Sequence, residues 1–360
     1  MPSVPPYVET LTPYLPGKPI EEVERELGIS GVAKLASNEN ALGPSPKALA
    51  AAREACARVN LYPDGSAFHL RRAIAAKLGV APDEVMVGNG SNEVLELVVR
   101  TFLGPDDETL TSADSFVVYR LATHAHGRRC VEVPMKDRHY DLDGIAARLS
   151  KRTRVVFLAN PDNPNGTWFG RAALDRFLAA VPPDVLVVLD EAYVEYVQER
   201  DFPDGLALQR RHPNLILVRT FSKIYGMAGF RLGYGIARPE VVAWVDRVRE
   251  PFNTNLVAQA AGIAALGDEE HVRRGRELVA AERPFLSAGL RALGAAVWPS
   301  QANFVLAELP GRSGKALFDG LLRQGVVVRP IGGPSSIRIT CGTRPENEKL
   351  LAALRRVLAA

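Results

Sequence analysis

The chain has 360 residues, 47% hydrophobic and 24% charged, with a formal charge of +3, the composition of an ordinary globular protein of roughly two domains. No block of about five like charges and no apolar run of about 18 residues occurs, which argues against nucleic-acid binding and against a membrane span. Three scattered cysteines (Cys56, Cys130, Cys341) and an N-terminus without signal-peptide character exclude a disulfide framework or zinc ribbon and point to a reducing, cytoplasmic setting.

Residues 1–30 are rich in proline and turn formers, with a short helical piece at PIEEVEREL, and read as an arm packed on something else. Residues 31–260 alternate short apolar runs with helical patterns. The strand candidates are EVMVG (84–88), ETLTS (108–112), CVEVPM (130–135), RVVFLAN (154–160), VLVVLDEA (185–192), LILVRTF (215–221) and LGYGIA (232–237). Helical stretches such as NEVLELVVRTFL and RAALDRFLAAV lie between them, so the spacing predicts an α/β domain with a mostly parallel seven-stranded sheet. RPEVVAWVDRVRE opens a long helical region that runs on through NLVAQAAGIAAL. Residues 261–360 then read as a smaller α+β domain: helix RELVAAERPFLSAGLRAL, strands ANFVLAEL, GVVVRP and SIRITCG, and a closing helix PENEKLLAALRRVLAA.

Four stretches are candidates for chemistry, though the first three also suit a plain helix cap, a structural turn and a structural ion pair. In GNGSNE (88–93) a strand runs through glycines into a helix opened by Ser91 and Asn92, a start that suits an anion such as phosphate. It lacks the last glycine of a dinucleotide fingerprint and the lysine of a P-loop. NPDNPNGT (160–167) is a rigid turn after a strand, and its prolines hold Asn163 at little entropic cost. Asp190 ends a wholly apolar strand, so a cation must meet it or it stays protonated; Tyr193 is three residues on. Lys223, in TFSKIYGMAGFRLGYG, follows another strand end and lacks the charged neighbours of a solvated lysine. A half-buried lysine is a good amine nucleophile, able to form a Schiff base with an aldehyde. Ser222 and Arg231 add donors for an anionic tail. Schiff-base lysine, buried aspartate and phosphate cradle together fit pyridoxal 5'-phosphate. His124 and His126 suit one face of a strand, but no third ligand is evident and no metal is expected.

At this point the chain resembles the fold-type I pyridoxal-phosphate aminotransferases, and most closely the histidinol-phosphate aminotransferase family. The likeness runs in order through LTPYLPGKPIEEVERELG, KLASNENALGPSP, NLYPDG, GNGSNE, NPDNPNGT, DEAY, TFSKIYGMAGFRLGYG and SIRITCGT. The resemblance implies that Lys223 holds the cofactor and moves the proton between substrate Cα and C4′. It implies that Asp190 pairs with the pyridine nitrogen, and that Tyr193 and Asn163 donate to the ring's phenolic oxygen. Ser91, Asn92, Ser222 and Arg231 match the phosphate cradle, and Tyr62 the tyrosine that reaches the phosphate from a partner subunit. Phe116 falls where the family stacks an aromatic ring on the cofactor. Arg338 matches the arginine that grips the substrate's acidic group, helped by Arg329 and Tyr14. Two departures, Asn165 for a threonine and Ala41 for a proline, touch no catalytic position.

The implied activity is a ping-pong transamination between L-glutamate/2-oxoglutarate and imidazole-acetol phosphate/L-histidinol phosphate, in a homodimer. An aromatic amino acid aminotransferase would share every cofactor residue. A threonine-phosphate decarboxylase would share the fold and release carbon dioxide. A non-enzymatic regulator of this fold would need an added DNA-binding segment, for which the chain has no room.

Overall fold

The seven apolar runs of the large region all become strands of one sheet. Their order is Val85–Gly88, Gly233–Ile236, Leu215–Thr220, Leu186–Asp190, Thr153–Ala159, Glu108–Ser112, Arg129–Val133. Neighbours run parallel, except that Gly233–Ile236 is antiparallel to both its partners. The inner strands are buried almost without interruption. Helices cover both faces, so these strands read as continuous apolar runs instead of alternating ones. The computed structural model describes residues 3–13 and 17–359, so Tyr14 lies outside the described residues.

The C-terminal region forms a four-stranded antiparallel sheet, ordered Arg329–Pro330, Ser336–Thr340, Phe304–Glu308, Ala296–Val297. Helices Glu269–Ala292 and Gly314–Arg323 pack on it, and Arg344–Ala359 packs on those two helices. The run GVVVRP, expected as one strand, is divided between two sheets. Val326–Val327 pairs in parallel with Ala33–Lys34, while Arg329–Pro330 joins the antiparallel sheet. The chain near residue 33, expected in the large domain, is therefore held by the C-terminal region.

Two expectations need correction. The long helical region after Arg238 is two helices, Pro239–Val248 and Leu256–Leu266. Pro251 disfavours helix at the residue before it, and Phe252 takes the left-handed conformation (φ 58°). His124 and His126 lie on no strand: His124 is in helix Val118–Ala125, and His126 is its C-cap.

Candidate active site

A cavity of about 260 Å3 opens where the parallel strands end, between the two sheets. Such strand ends are where open α/β sheets bind ligands. Asp190 is the last residue of Leu186–Asp190 and is only 5% exposed. The Tyr119 hydroxyl donates to its Oδ2 (2.9 Å) and the Ala192 N–H to its Oδ1 (3.0 Å). Burial still dominates and raises the carboxyl from 3.8 to about 6; the Lys223 ammonium pulls the other way. Lys223 lies just past strand Leu215–Thr220, with Nζ donating to the Ser37 carbonyl (3.1 Å). Burial lowers its pKa to about 8, and the Arg338 and Arg231 cations add to this against Glu39 and Asp190. A lysine so placed has a usable fraction of neutral amine near physiological pH.

On the wall beside Lys223, Asn38 Nδ2 donates to the Tyr193 hydroxyl (2.9 Å), which burial holds up at about 12 and therefore protonated. The turn carrying Asn163 is organised by buried Asp162. Ser115 Oγ donates to Asp162 Oδ1 (2.6 Å), and Asn165 donates to Oδ2 from Nδ2 (2.6 Å) and from its backbone N–H (3.2 Å). Asn165, the departure from the usual threonine, thus ties the turn together. Asn163 Oδ1 accepts from Arg338 Nη1 (2.5 Å), and Arg338 Nη2 donates to the Ala36 carbonyl (2.6 Å). Arg329 and Arg338 stand directly opposite each other in the antiparallel ladder, and both line the cavity. Two guanidinium groups so close on the cavity wall suit an anionic group.

At the other end, helix Ser91–Phe102 begins against the cavity. Its N-cap is Gly90 (φ 81°), with no side-chain cap, so nothing of its own covers the first turn. A methyl group at Gly90 would collide with the Arg231 guanidinium, and one at Gly233 with the Ser91 backbone nitrogen. These two glycines let Arg231 and the strand end close in on the helix start. Ser91, Asn92, Ser222 and Arg231 all line this end of the cavity.

Eleven of the expected residues therefore share one cavity: Ser91, Asn92, Phe116, Asn163, Asp190, Tyr193, Ser222, Lys223, Arg231, Arg329 and Arg338. Tyr62 does not; it is 82% exposed and stacks on Phe252 with ring centroids 4.7 Å apart. Sequence reasoning missed Tyr119 and Asn38. Three residues on from Phe116, Tyr119 looks like a core aromatic, and its ring does stack on Phe157. Its hydroxyl nevertheless holds Asp190. Tyr119→Phe should weaken the carboxylate and lower kcat about tenfold, since a hydrogen bond to a charged group contributes about 1.5–3 kcal/mol. The acid limb of the pH–rate profile should move to higher pH, which stopped-flow titration would record.

Pyridoxal phosphate fits these donors. An uncapped helix start with an arginine suits its phosphate, a buried carboxylate suits a protonated ring nitrogen, and an amine with a lowered pKa suits its aldehyde. The family model "Aminotransferase class I and II" matches residues 30–354. The chain is 70% identical to a histidinol-phosphate aminotransferase from Anaeromyxobacter sp., covering 100% of each. It is 48% identical to one from Moorella thermoacetica, covering 97% of this chain and 92% of that one. Among solved structures, histidinol-phosphate aminotransferase from Sinorhizobium meliloti in complex with pyridoxal 5'-phosphate is similar with a TM-score of 0.90. That likeness has 32% identity and covers 98% of this chain and 97% of the other. With fold, site and sequence in agreement, this chain belongs to the class I and II aminotransferase family.

Proposed function

We infer that this chain is a pyridoxal-phosphate-dependent histidinol-phosphate aminotransferase, exchanging an amino group between L-histidinol phosphate and 2-oxoglutarate. Relatives of that name match over the whole chain, and the facing pair Arg329 and Arg338 carries the reading structurally. Both amine donors bring an anion to one pocket, a phosphate in one half-reaction and a carboxylate in the other. A fixed pair of guanidinium groups serves either.

When bound, pyridoxal phosphate supplies the aldehyde and the electron-withdrawing ring that make the substrate Cα–H acidic. The protein residues do the rest. Ser91, Asn92, Ser222 and Arg231 would hold the phosphate at the helix start. Asp190 would pair with the ring nitrogen, its carboxylate steadied by Tyr119 and the Ala192 N–H. Tyr193 and the Asn163 amide would donate to the phenolic oxygen, while Asn163 Oδ1 holds Arg338. Phe116, which lines the cavity, would pack against the ring. Lys223 would hold the cofactor's aldehyde through its amine and, as a free amine, would carry the substrate Cα proton. The buried setting favours its neutral form for the first step.

The test is a single-turnover absorbance measurement on the cofactor-loaded protein. L-histidinol phosphate should bleach the visible cofactor band rapidly and L-phenylalanine slowly. The reverse order would make this an aromatic amino acid aminotransferase, and carbon dioxide release from threonine phosphate a decarboxylase.

The reading includes a homodimer in the cytoplasm, with an N-terminal arm, a large cofactor domain and a smaller C-terminal domain. Among the described residues no helix is long and apolar enough to cross a membrane. Val59, Leu61, Tyr62, Phe68 and Phe252 are exposed apolar residues concentrated around one loop, as an interface would require. Tyr62 would then serve the partner's phosphate. Mixing inactive Lys223→Ala with impaired Tyr62→Ala should restore activity, to about a quarter of the wild-type sites after random exchange. No recovery on mixing, or a fully active monomer at micromolar concentration, would refute the shared site.

A further inference from the structure

A tight turn at residues 136–139 reaches from the large sheet to the C-terminal region. Lys136 and His139 exchange backbone hydrogen bonds (3.0 and 2.8 Å), and the two residues between them, Asp137 and Arg138, are both left-handed (φ 48° and 64°). Glycine or asparagine is the usual choice at such positions, and ordinary side chains there cost conformational energy. The turn is pinned at its base, because Thr167 Oγ1 donates to the Arg138 carbonyl (2.6 Å) from the turn that carries Asn163.

This conformation aims the Arg138 guanidinium across the cleft. Nη1 donates to the Gly332 carbonyl, Nη2 lies 3.5 Å from Glu308 Oε2, and the group sits 5.2 Å from the centre of the Trp298 ring. Glu308 also accepts from Ser335 Oγ (2.9 Å), so one ion pair grips both ends of the loop between Ile331 and Ser336. Gly332 and Gly333 are left-handed as well, and a methyl on Gly333 would press on Arg138 Nη2 at 3.3 Å. The loop joins the strands that carry Arg329 and Arg338, and its own Ile331 lines the cavity.

We propose that Arg138 is a positioning residue for substrate: it latches the 331–335 loop to the large domain and so fixes Arg329 and Ile331 over the cavity. This rests on the reading of Arg329 and Arg338 as the anion grip. Arg138 touches none of the cofactor-binding residues named above, so its loss acts on substrate capture and leaves the cofactor's electronics alone.

The experiment compares wild type, Arg138→Ala, Arg138→Lys and Glu308→Gln, loaded with pyridoxal phosphate. Steady-state kinetics would be run with L-histidinol phosphate and with L-glutamate, and the visible cofactor band recorded for each protein. Arg138→Ala should raise KM for the amine donor about tenfold or more and leave kcat within about threefold, the pattern of lost uniform binding. The cofactor band should not move, Arg138→Lys should recover part of the loss, and Glu308→Gln should shift KM the same way by less. If Arg138→Ala does not fold, Glu308→Gln carries the test from the other side of the latch. Unchanged KM in these variants, or a fall in kcat alone, would overturn the latch. If wild type prefers a different amine, the functional reading fails separately, and the KM comparison is made on that amine with the same criterion.

Discussion

Lys223→Ala is expected to reduce turnover by at least about 1,000-fold, since both covalent attachment and proton transfer are lost with the amine. Pyridoxal phosphate should still bind, because helix Ser91–Phe102, Arg231 and Asp190 are untouched. Its absorbance should be that of the free aldehyde. Equilibrium dialysis and a visible spectrum check the first part, and single-turnover kinetics the second. Turnover within tenfold of wild type would remove Lys223 from its assigned role. Attack on the cofactor needs the neutral amine, so the capture rate in wild type should rise with pH, reach half its maximum near 8, where the buried lysine titrates, and level off above that. A solvated lysine would keep gaining until above pH 10, its ordinary value being about 10.4.

Asp190→Asn should be nearly as damaging to catalysis while making the cofactor-free protein more stable. The carboxylate that balances a protonated ring nitrogen is gone, and a preorganised electrostatic partner of this kind is worth at least about 100-fold in rate. The stability effect follows from burial. The Asp190 carboxyl is raised from 3.8 to about 6, so folding favours its protonated form. That contribution is complete below about pH 4 and is lost as pH rises through 6. At pH 7.5 the ionised group therefore burdens the empty site. Asparagine removes the burden, its carbonyl accepting from Ala192 and its amide donating to the Tyr119 oxygen. The melting temperature of the cofactor-free variant should exceed wild type by about 2 °C or more at pH 7.5 and match it at pH 4. Adding pyridoxal phosphate should reverse the order at pH 7.5. An apo variant no more stable than wild type at any pH would mean that Asp190 is solvated better than its 5% exposure indicates.

The strands were legible because burial on both faces writes them as unbroken apolar runs, and the site residues because they stand at the ends of those runs. Asp190 is conspicuous as a charge just after five apolar positions, and Lys223 as a lysine a few residues past the run LILV, without charged neighbours on either side. What could not be read depends on distant partners. Asn38 matters because it meets Tyr193, 155 positions away, and nothing local marks it. Tyr119 shows its polar use only through Asp190, 71 positions on. The division of GVVVRP between two sheets follows from a partner strand of only two residues, Ala33–Lys34, too short to have a pattern. The helix break at Pro251 was readable in principle, but the apolar periodicity on either side outweighed one proline.

The tie of Asn38 to Asn303 and Thr340 has a consequence during synthesis. Asn38 donates its backbone N–H to Thr340 Oγ1 (2.9 Å), and Asn303 Nδ2 donates to the Asn38 carbonyl (3.1 Å). The same stretch offers the Ser37 carbonyl to Lys223 and the Asn38 amide to Tyr193. The wall beside the reactive lysine is thus braced by Asn303 and Thr340, which are synthesised well after Lys223 and the large sheet. At about 5–20 residues per second, the large sheet is exposed for several seconds before that brace exists. Over that interval Lys223 has its strand but not its wall, and a nascent chain should not retain pyridoxal phosphate until strand Ser336–Thr340 has emerged and paired.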